Sequence, residues 1–159
     1  MNDDQIFFKL PDIVKVCLEP CGTVPRKATT GSAGYDLSSA ERVTIRPGKS
    51  AMISTGIRVA LPCGNVGLIF ERSSLHRHGL SLANKVGVID SDYRGVISLL
   101  LENISDAPVD ISVGDRLAQM IVIAVKQTMI REVTSLDETK RGDGGFGSTG
   151  TSYLENSET

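Results

Sequence analysis

The chain of 159 residues and 17.0 kDa is long enough for one domain and too short for two ordinary ones. Apolar residues at 40% and charged residues at 23% exclude a disordered chain, and a net charge of −2 leaves no electrostatic footprint for nucleic acid or an anionic membrane. No apolar stretch approaches the ~20 residues that span a bilayer. The acidic opening Met1-Asn2-Asp3-Asp4 lacks the basic region of a signal peptide. The expectation is an intracellular protein, cytoplasmic or nuclear, with neither nucleic acid nor membrane as partner.

Cys17, Cys21 and Cys63 are an odd number without a partnering histidine, so they are expected as reduced thiols packed like small hydrophobes. Sixteen glycines and six prolines punctuate the chain, and no long segment keeps a helical apolar period. Val43 and Ile45 alternate with polar neighbours before the turn Pro47-Gly48. Ile53, Ile57, Val59 and Leu61 follow, closed by Pro62-Cys63-Gly64-Asn65, and Val66 to Phe70 makes another short run. A brief helix fits only within Arg72–His78. Val96 to Leu101 is nearly continuous apolar sequence, which predicts a strand covered on both faces. Val109, Ile111 and Val113 alternate, Gly114-Asp115 turns, and Leu117 to Val125 is the last strong strand. Many short strands at regular turn spacing predict an all-β sandwich, jelly roll or barrel.

Composition shifts near Leu136. Arg141 to Gly150 holds five glycines and one apolar side chain, Phe146. Residues 1–136 are therefore expected to form the β-domain, and 137–159 a mobile C-terminal arm that cannot order itself by burial. A lone aromatic among glycines suggests that the arm closes on something.

Several short matches lack the context their chemistry needs. Gly145 to Gly150 fits G-x-G-x-x-G without a strand before it or a helix after it, so a dinucleotide fold is excluded. Gly48-Lys49-Ser50 resembles the end of a phosphate-binding loop, but Val43 stands where its first glycine belongs. His76 and His78 have no third metal ligand nearby.

Five ordered clusters remain, each rich in groups suited to phosphate or base recognition. They are Ala33-Gly34-Tyr35-Asp36-Leu37, Glu71-Arg72-Ser73-Ser74-Leu75, Gly87 to Gly95 (GVIDSDYRG), Gly114 to Gln119 (GDRLAQ) and Arg141 to Gly150 (RGDGGFGSTG). In this order and spacing the chain closely resembles the homotrimeric all-β dUTPase family, from about Ala33 to Gly150. The resemblance implies a distorted, β-clip-like jelly roll with one short helix, acting as a dUTP diphosphatase that releases dUMP and pyrophosphate. That reaction keeps uracil out of DNA and supplies dUMP for thymidylate synthesis. The resemblance also implies a homotrimer with dUTP as ligand and Mg²⁺ as cofactor.

Roles carry over by position. Arg72, Ser73 and Ser74 match phosphate contacts, where a guanidinium fork, hydroxyls and N–H groups at a helix start suit phosphate oxygens. Gln119 matches an amide contact to phosphate. Asp36 matches the acid that holds Mg²⁺ through water, as suits an ion that dehydrates reluctantly. Asp90 matches the base for the attacking water, with Asp92 a rival by type. Tyr93 matches the aromatic that packs on deoxyribose, and Asn84 the amide that reads the uracil edge beside a tight backbone hairpin flanked by Gly87 and Gly95. In the arm, Phe146 matches the residue that stacks on uracil, Arg141 the γ-phosphate contact, and Ser148 and Thr149 further phosphate contacts.

Two positions depart from the family pattern. Glu71 stands where proline is common, and would oppose a triphosphate unless its side chain turns away. His76 stands where alanine or glycine is common. Two alternatives come from other directions. A deaminase of dCTP shares the fold and the Arg-Ser-Ser-Leu cluster, but needs a glutamate three residues before an asparagine, where Leu100 precedes Asn103 here. A non-catalytic module would use the dUTP pocket to control a protein-binding surface.

Overall fold

The computed structural model describes residues 12–146 and residue 148. Turn residues cut the sequence into short extended pieces, and each piece finds its hydrogen-bond partner far along the chain. Eleven strands result among the described residues: β1 (Lys15–Leu18), β2 (Tyr35–Ser38), β3 (Val43–Ile45), β4 (Ser50–Ser54), β5 (Ile57–Ala60), β6 (Asn65–Glu71), β7 (Leu80–Leu82), β8 (Gly87–Ile89), β9 (Ser98–Asn103), β10 (Val109–Ile111) and β11 (Arg116–Ala124). The pairs β1-β5 and β10-β3 accompany a four-stranded sheet, β2-β11-β6-β8, and a three-stranded sheet, β4-β9-β7. All of these pairings are antiparallel. The all-β expectation holds.

By its contacts the chain divides into a unit ending at Gln127 and a second beginning at Thr128. All eleven strands and the core belong to the first. Alternation supplies that core: Ile53 of β4, Ile57 and Val59 of β5, Ile69 of β6, Leu99 and Leu101 of β9 and Met120 of β11 are all buried. In the second unit Met129, Ile130 and Leu136 are exposed.

Three expectations change, and the brief helix within Arg72–His78 holds in a short form. β9 alternates instead of being covered on both faces: Leu99 and Leu101 are buried, while Leu100 is half-buried opposite exposed Met52. Its sheet covers the core with one face only. The brief helix is a four-residue 3₁₀ turn, Leu75–His78, which Gly79 ends at φ 73°. The three cysteines are free, as expected, but exposed rather than packed. The segment around Asp90 is no hairpin, because β8 pairs with β6 while β9 pairs with β4 and β7.

Asn103 and Thr55 are the largest polar side chains fully buried among the described residues. Asn103 donates to the carbonyls of Ile45 (2.8 Å) and Ala107 (2.7 Å) and accepts from the Ser105 amide (2.9 Å) and hydroxyl (2.7 Å). It ties β9 to the end of β3 and to the loop before β10. Asn103→Ala strips two carbonyls of their donor and is expected to destabilise the fold by about 2–4 kcal/mol. Urea unfolding should report this as a lower midpoint at unchanged slope.

Candidate active site

The four-stranded sheet builds the first half of the site. Asp36 on β2 lies directly opposite Gln119 on β11, which lies opposite Phe70 on β6, so the three share one face. Arg72 follows Phe70 by two and returns to that face. Arg116 reaches it by an irregularity. The pairing runs Ser38 with Arg116 and Leu37 with Ala118, leaving Leu117 as an extra residue. Leu117 and Ala118 are consequently both buried, and Arg116 is turned to the side of Asp36.

The result is a bridged carboxylate. Asp36 Oδ1 meets Arg72 Nε and Asp36 Oδ2 meets Arg116 Nη1, each at 3.0 Å. Arg72 Nη1 also donates to the Arg116 carbonyl at 3.3 Å. Gln119 Nε2 donates to the Glu71 carbonyl at 3.3 Å. A Cβ on Gly34 would lie 2.7 Å from Gln119 Oε1, so the glycine makes room for this amide. Sequence reasoning assigned no role to Arg116; the adjacent apolar pair Leu117-Ala118, which breaks strand alternation, is the signal that could have found it.

Ser74 is half-buried and leads into the 3₁₀ turn without a side-chain capping bond, and Ser73 is exposed. The turn's Leu75 and Arg77 amides already bond the carbonyls of Arg72 and Ser74. The expected phosphate contacts at a helix start therefore reduce to the side chains and the amides ahead of the turn. Arg72, Ser74, Leu75, His78, Asp110, Asp115 and Arg116 are among the residues lining a cavity of about 340 Å³. Glu71, opposite Ala118, falls by alternation on the core side of the sheet, away from Asp36 and Arg72. Its Oε2 is buried without a partner among the described residues. Glu71 therefore does not oppose an anion on the other face.

Among the described residues no three His, Cys, Asp or Glu side chains converge as a metal cage. Asp36, with each oxygen already paired to an arginine, retains lone pairs for a metal-bound water. That donor set fits a magnesium ion carried mainly by phosphate oxygens and water.

The second half lies where β8, the free edge of the four-stranded sheet, faces β4, an edge of the three-stranded sheet. A cavity of about 520 Å³ between them is lined by Asn84, Gly87, Asp90, Tyr93 and Val96, with Met52 and Ile69 among the apolar walls. Asp92 does not line it. A Cβ on Gly87 would sit 3.2 Å from Ile69 Cβ and 3.7 Å from Asn84 Nδ2, so the missing side chain keeps the floor open. A Cβ on Gly95 would lie 2.2 Å from the Tyr93 hydroxyl. The Tyr93 ring thus folds over Gly95, with its hydroxyl bonding the Val96 carbonyl at 3.2 Å. Gly95 serves the ring rather than a close approach of a hairpin to ligand.

The two halves do not meet within one chain. Ile89 pairs with Gly67, so Asp90 lies beside Val66, while Arg72 is six residues further along the same strand line. At the usual strand rise that is about 20 Å. In the second unit, Arg141 Nε donates to the Gly144 carbonyl at 2.9 Å, the Ser148 amide donates to the Gly145 carbonyl at 3.0 Å, and Phe146 is exposed at φ 44°. Thr149 lies outside the described residues.

Proteins of known kind share both this sequence pattern and this architecture. A model of the dUTPase family matches residues 21–150. The deoxyuridine 5'-triphosphate nucleotidohydrolase of Cutibacterium acnes is 46% identical over 91% of this chain and 97% of its own. That of Rhodococcus erythropolis is 47% identical over 84% and 82%. Among solved structures, the Staphylococcus bacteriophage 80alpha dUTPase with dUpNHpp superposes at TM-score 0.81, with 26% identity over 87% of this chain and 99% of that one. A point mutant of the dUTPase from phage phi11 of S. aureus, solved with a structural Mg(II) ion, superposes at 0.71 with 26% identity, over 77% and 97%. The chain belongs to the dUTPase family.

Proposed function

We propose that this chain hydrolyses dUTP to dUMP and pyrophosphate, and that the pocket is completed between copies of the chain. The observation that carries this reading is the pairing of two complementary half-sites: an arginine-bearing polar face around Asp36, and an apolar cavity with Asn84, Asp90 and Tyr93 on its wall. One suits phosphates and the other a nucleoside. Their separation of about 20 Å along β6 favours completion by another copy, with Arg72 of one copy facing Asp90 of another, and the family resemblance makes that assembly a homotrimer.

In this reading the uracil lies against the β8 edge, whose unpaired N–H and C=O groups read it together with Asn84. Cytosine would leave mispaired buried groups at about 1–3 kcal/mol each. Thymine's methyl would meet a backbone wall rather than merely lose contacts. Tyr93 packs on the deoxyribose and leaves no space for a 2′-hydroxyl. Arg72, Ser73, Ser74 and Gln119 hold phosphate oxygens. Asp90 accepts a proton from water as its oxygen bonds the α-phosphorus, and the α–β bridging oxygen leaves with pyrophosphate. Magnesium, when bound, neutralises phosphate charge and is steadied through water by Asp36. The arm brings Phe146 onto the base and Arg141, Ser148 and Thr149 onto the phosphates, excluding bulk water. Such an enzyme belongs with the nucleotide pools of cytoplasm or nucleus.

The deaminase alternative lacks its acid. Leu100 stands three residues before Asn103, and Asn103 is buried and spent on four hydrogen bonds.

Pyrophosphate release should be fast with dUTP and magnesium and at least about a hundredfold slower with dTTP, dCTP or UTP; ammonia from dCTP would contradict the reading. Asp90→Asn should lower kcat about 10²–10⁴-fold with little change in KM. Gly95→Ala displaces the Tyr93 ring and should cut the preference for dUTP over UTP about tenfold. Deletion of residues 141–159 should nearly abolish turnover while circular dichroism and oligomer size stay unchanged. Wild-type turnover in that truncation would defeat closure by the arm.

A further inference from the structure

The bulge that opens β11 brings a second guanidinium onto Asp36. We propose that Arg116 is a positioning residue that gives the phosphate-binding cluster its net positive charge and holds Arg72 in place. The inference rests on the dUTP reading above.

Arg72 and Asp36 alone form a neutral pair, with Nε and Oδ1 at 3.0 Å. A neutral pair attracts a triphosphate only weakly. Arg116, 3.0 Å from the other carboxylate oxygen, makes the trio a single positive charge. Asp36 is the least exposed member, with its side chain at 15% against 24% for Arg72 and 52% for Arg116. The carboxylate is therefore fixed between the two arginines, and Arg116 meets solvent.

Geometry leads to the same residue independently of charge. Arg72 spends Nε on Asp36 and one Nη1 proton on the Arg116 carbonyl, 3.3 Å away. Of the five guanidinium donors, three stay free for a ligand, and the plane of the fork is fixed by two contacts. The approach of Arg116 to Asp36 depends on the bulge. Were Leu117 paired in a regular ladder rather than bulged, Arg116 would share the buried face of Ala118 and could not reach Asp36. An irregularity that exposes one arginine and buries two successive apolar residues thus sets up the anion site.

The test is titration calorimetry of dUpNHpp with the full chain in the presence of a chelator, so that bound metal does not obscure the charge of the cluster. Arg116→Gln should weaken binding about tenfold, a Coulombic loss discounted for the exposure of this side chain. Asp36→Asn keeps one acceptor for Arg72 and removes the negative charge, so metal-free binding should tighten. The double variant Asp36→Asn/Arg116→Gln leaves Arg72 unneutralised and should recover most of the affinity lost in R116Q. In turnover with magnesium, R116Q should raise KM more than it lowers kcat, and Arg116→Lys should restore KM to within about threefold. Wild-type affinity in R116Q, or a double variant weaker than R116Q, overturns the proposal. If R116Q does not fold, D36N decides: tighter metal-free binding supports the charge balance, and equal or weaker binding overturns it. Failure of the wild-type chain itself to bind dUpNHpp would remove the dUTP reading and this inference together. Binding that ignores Arg116 would remove this inference alone.

Discussion

The register of β6 governs the arrangement of the whole site. This strand is hydrogen-bonded along its length to β11 on one side and through Gly67–Ile69 to β8 on the other. Its two ends therefore cannot approach one another without breaking the ladders. Arg72 leaves one end toward Asp36, and Asp90 enters near the other. A backbone under that constraint produces two surfaces, one bearing arginines and one largely apolar, and holds them roughly 20 Å apart. Chemistry at one phosphorus needs both. In the proposed reading, symmetric association of identical chains would supply the missing half without asking the sheet to bend.

Each surface uses the sheet differently. The polar surface sits on a sheet face, where alternation places Asp36, Gln119 and Phe70 in one row and a bulge adds Arg116. The apolar surface sits between two sheet edges, where backbone groups are unpaired and Tyr93 can fold over Gly95. Charges thus gather where side chains stand outward, and the apolar cavity forms where the main chain itself is free. Glu71 obeys the same geometry: one residue along from Phe70, it faces the opposite side from the anion cluster.

Much of this was legible in the sequence, for physical reasons that also explain the gaps. The alternating stretches at Val43–Ile45 and Val109–Ile111, and the long apolar run from Leu117 to Val125, were readable as strands because their patterns run long enough, or lie near enough to turn residues, to be unambiguous. β8, three residues long, offers barely one period of alternation and pairs with distant β6, so a hairpin between Gly87 and Gly95 was the natural but mistaken expectation. The position of Glu71 needed knowledge that β6 continues through it. Asn84, Asp90 and Tyr93 could be grouped from the cluster and line one cavity. The pairing of Asp36 with Arg72 spans distant segments and depends on register, which composition does not encode. Exposed Cys17, Cys21 and Cys63 defied the packing expectation because each falls on a strand's outer face or in a turn, where small apolar character decides nothing.

Subunit mixing tests the central claim most directly. Arg72→Ala and Asp90→Asn chains, each inactive alone, are unfolded together, refolded as a mixture and assayed for pyrophosphate release from dUTP. If each pocket takes Arg72 and Asp90 from different copies, random assembly makes about a quarter of the pockets complete, and activity should return toward that fraction of wild type. A mixture that stays as inactive as its parents, despite proven co-assembly, would mean that both residues serve one pocket from one chain and would contradict the account.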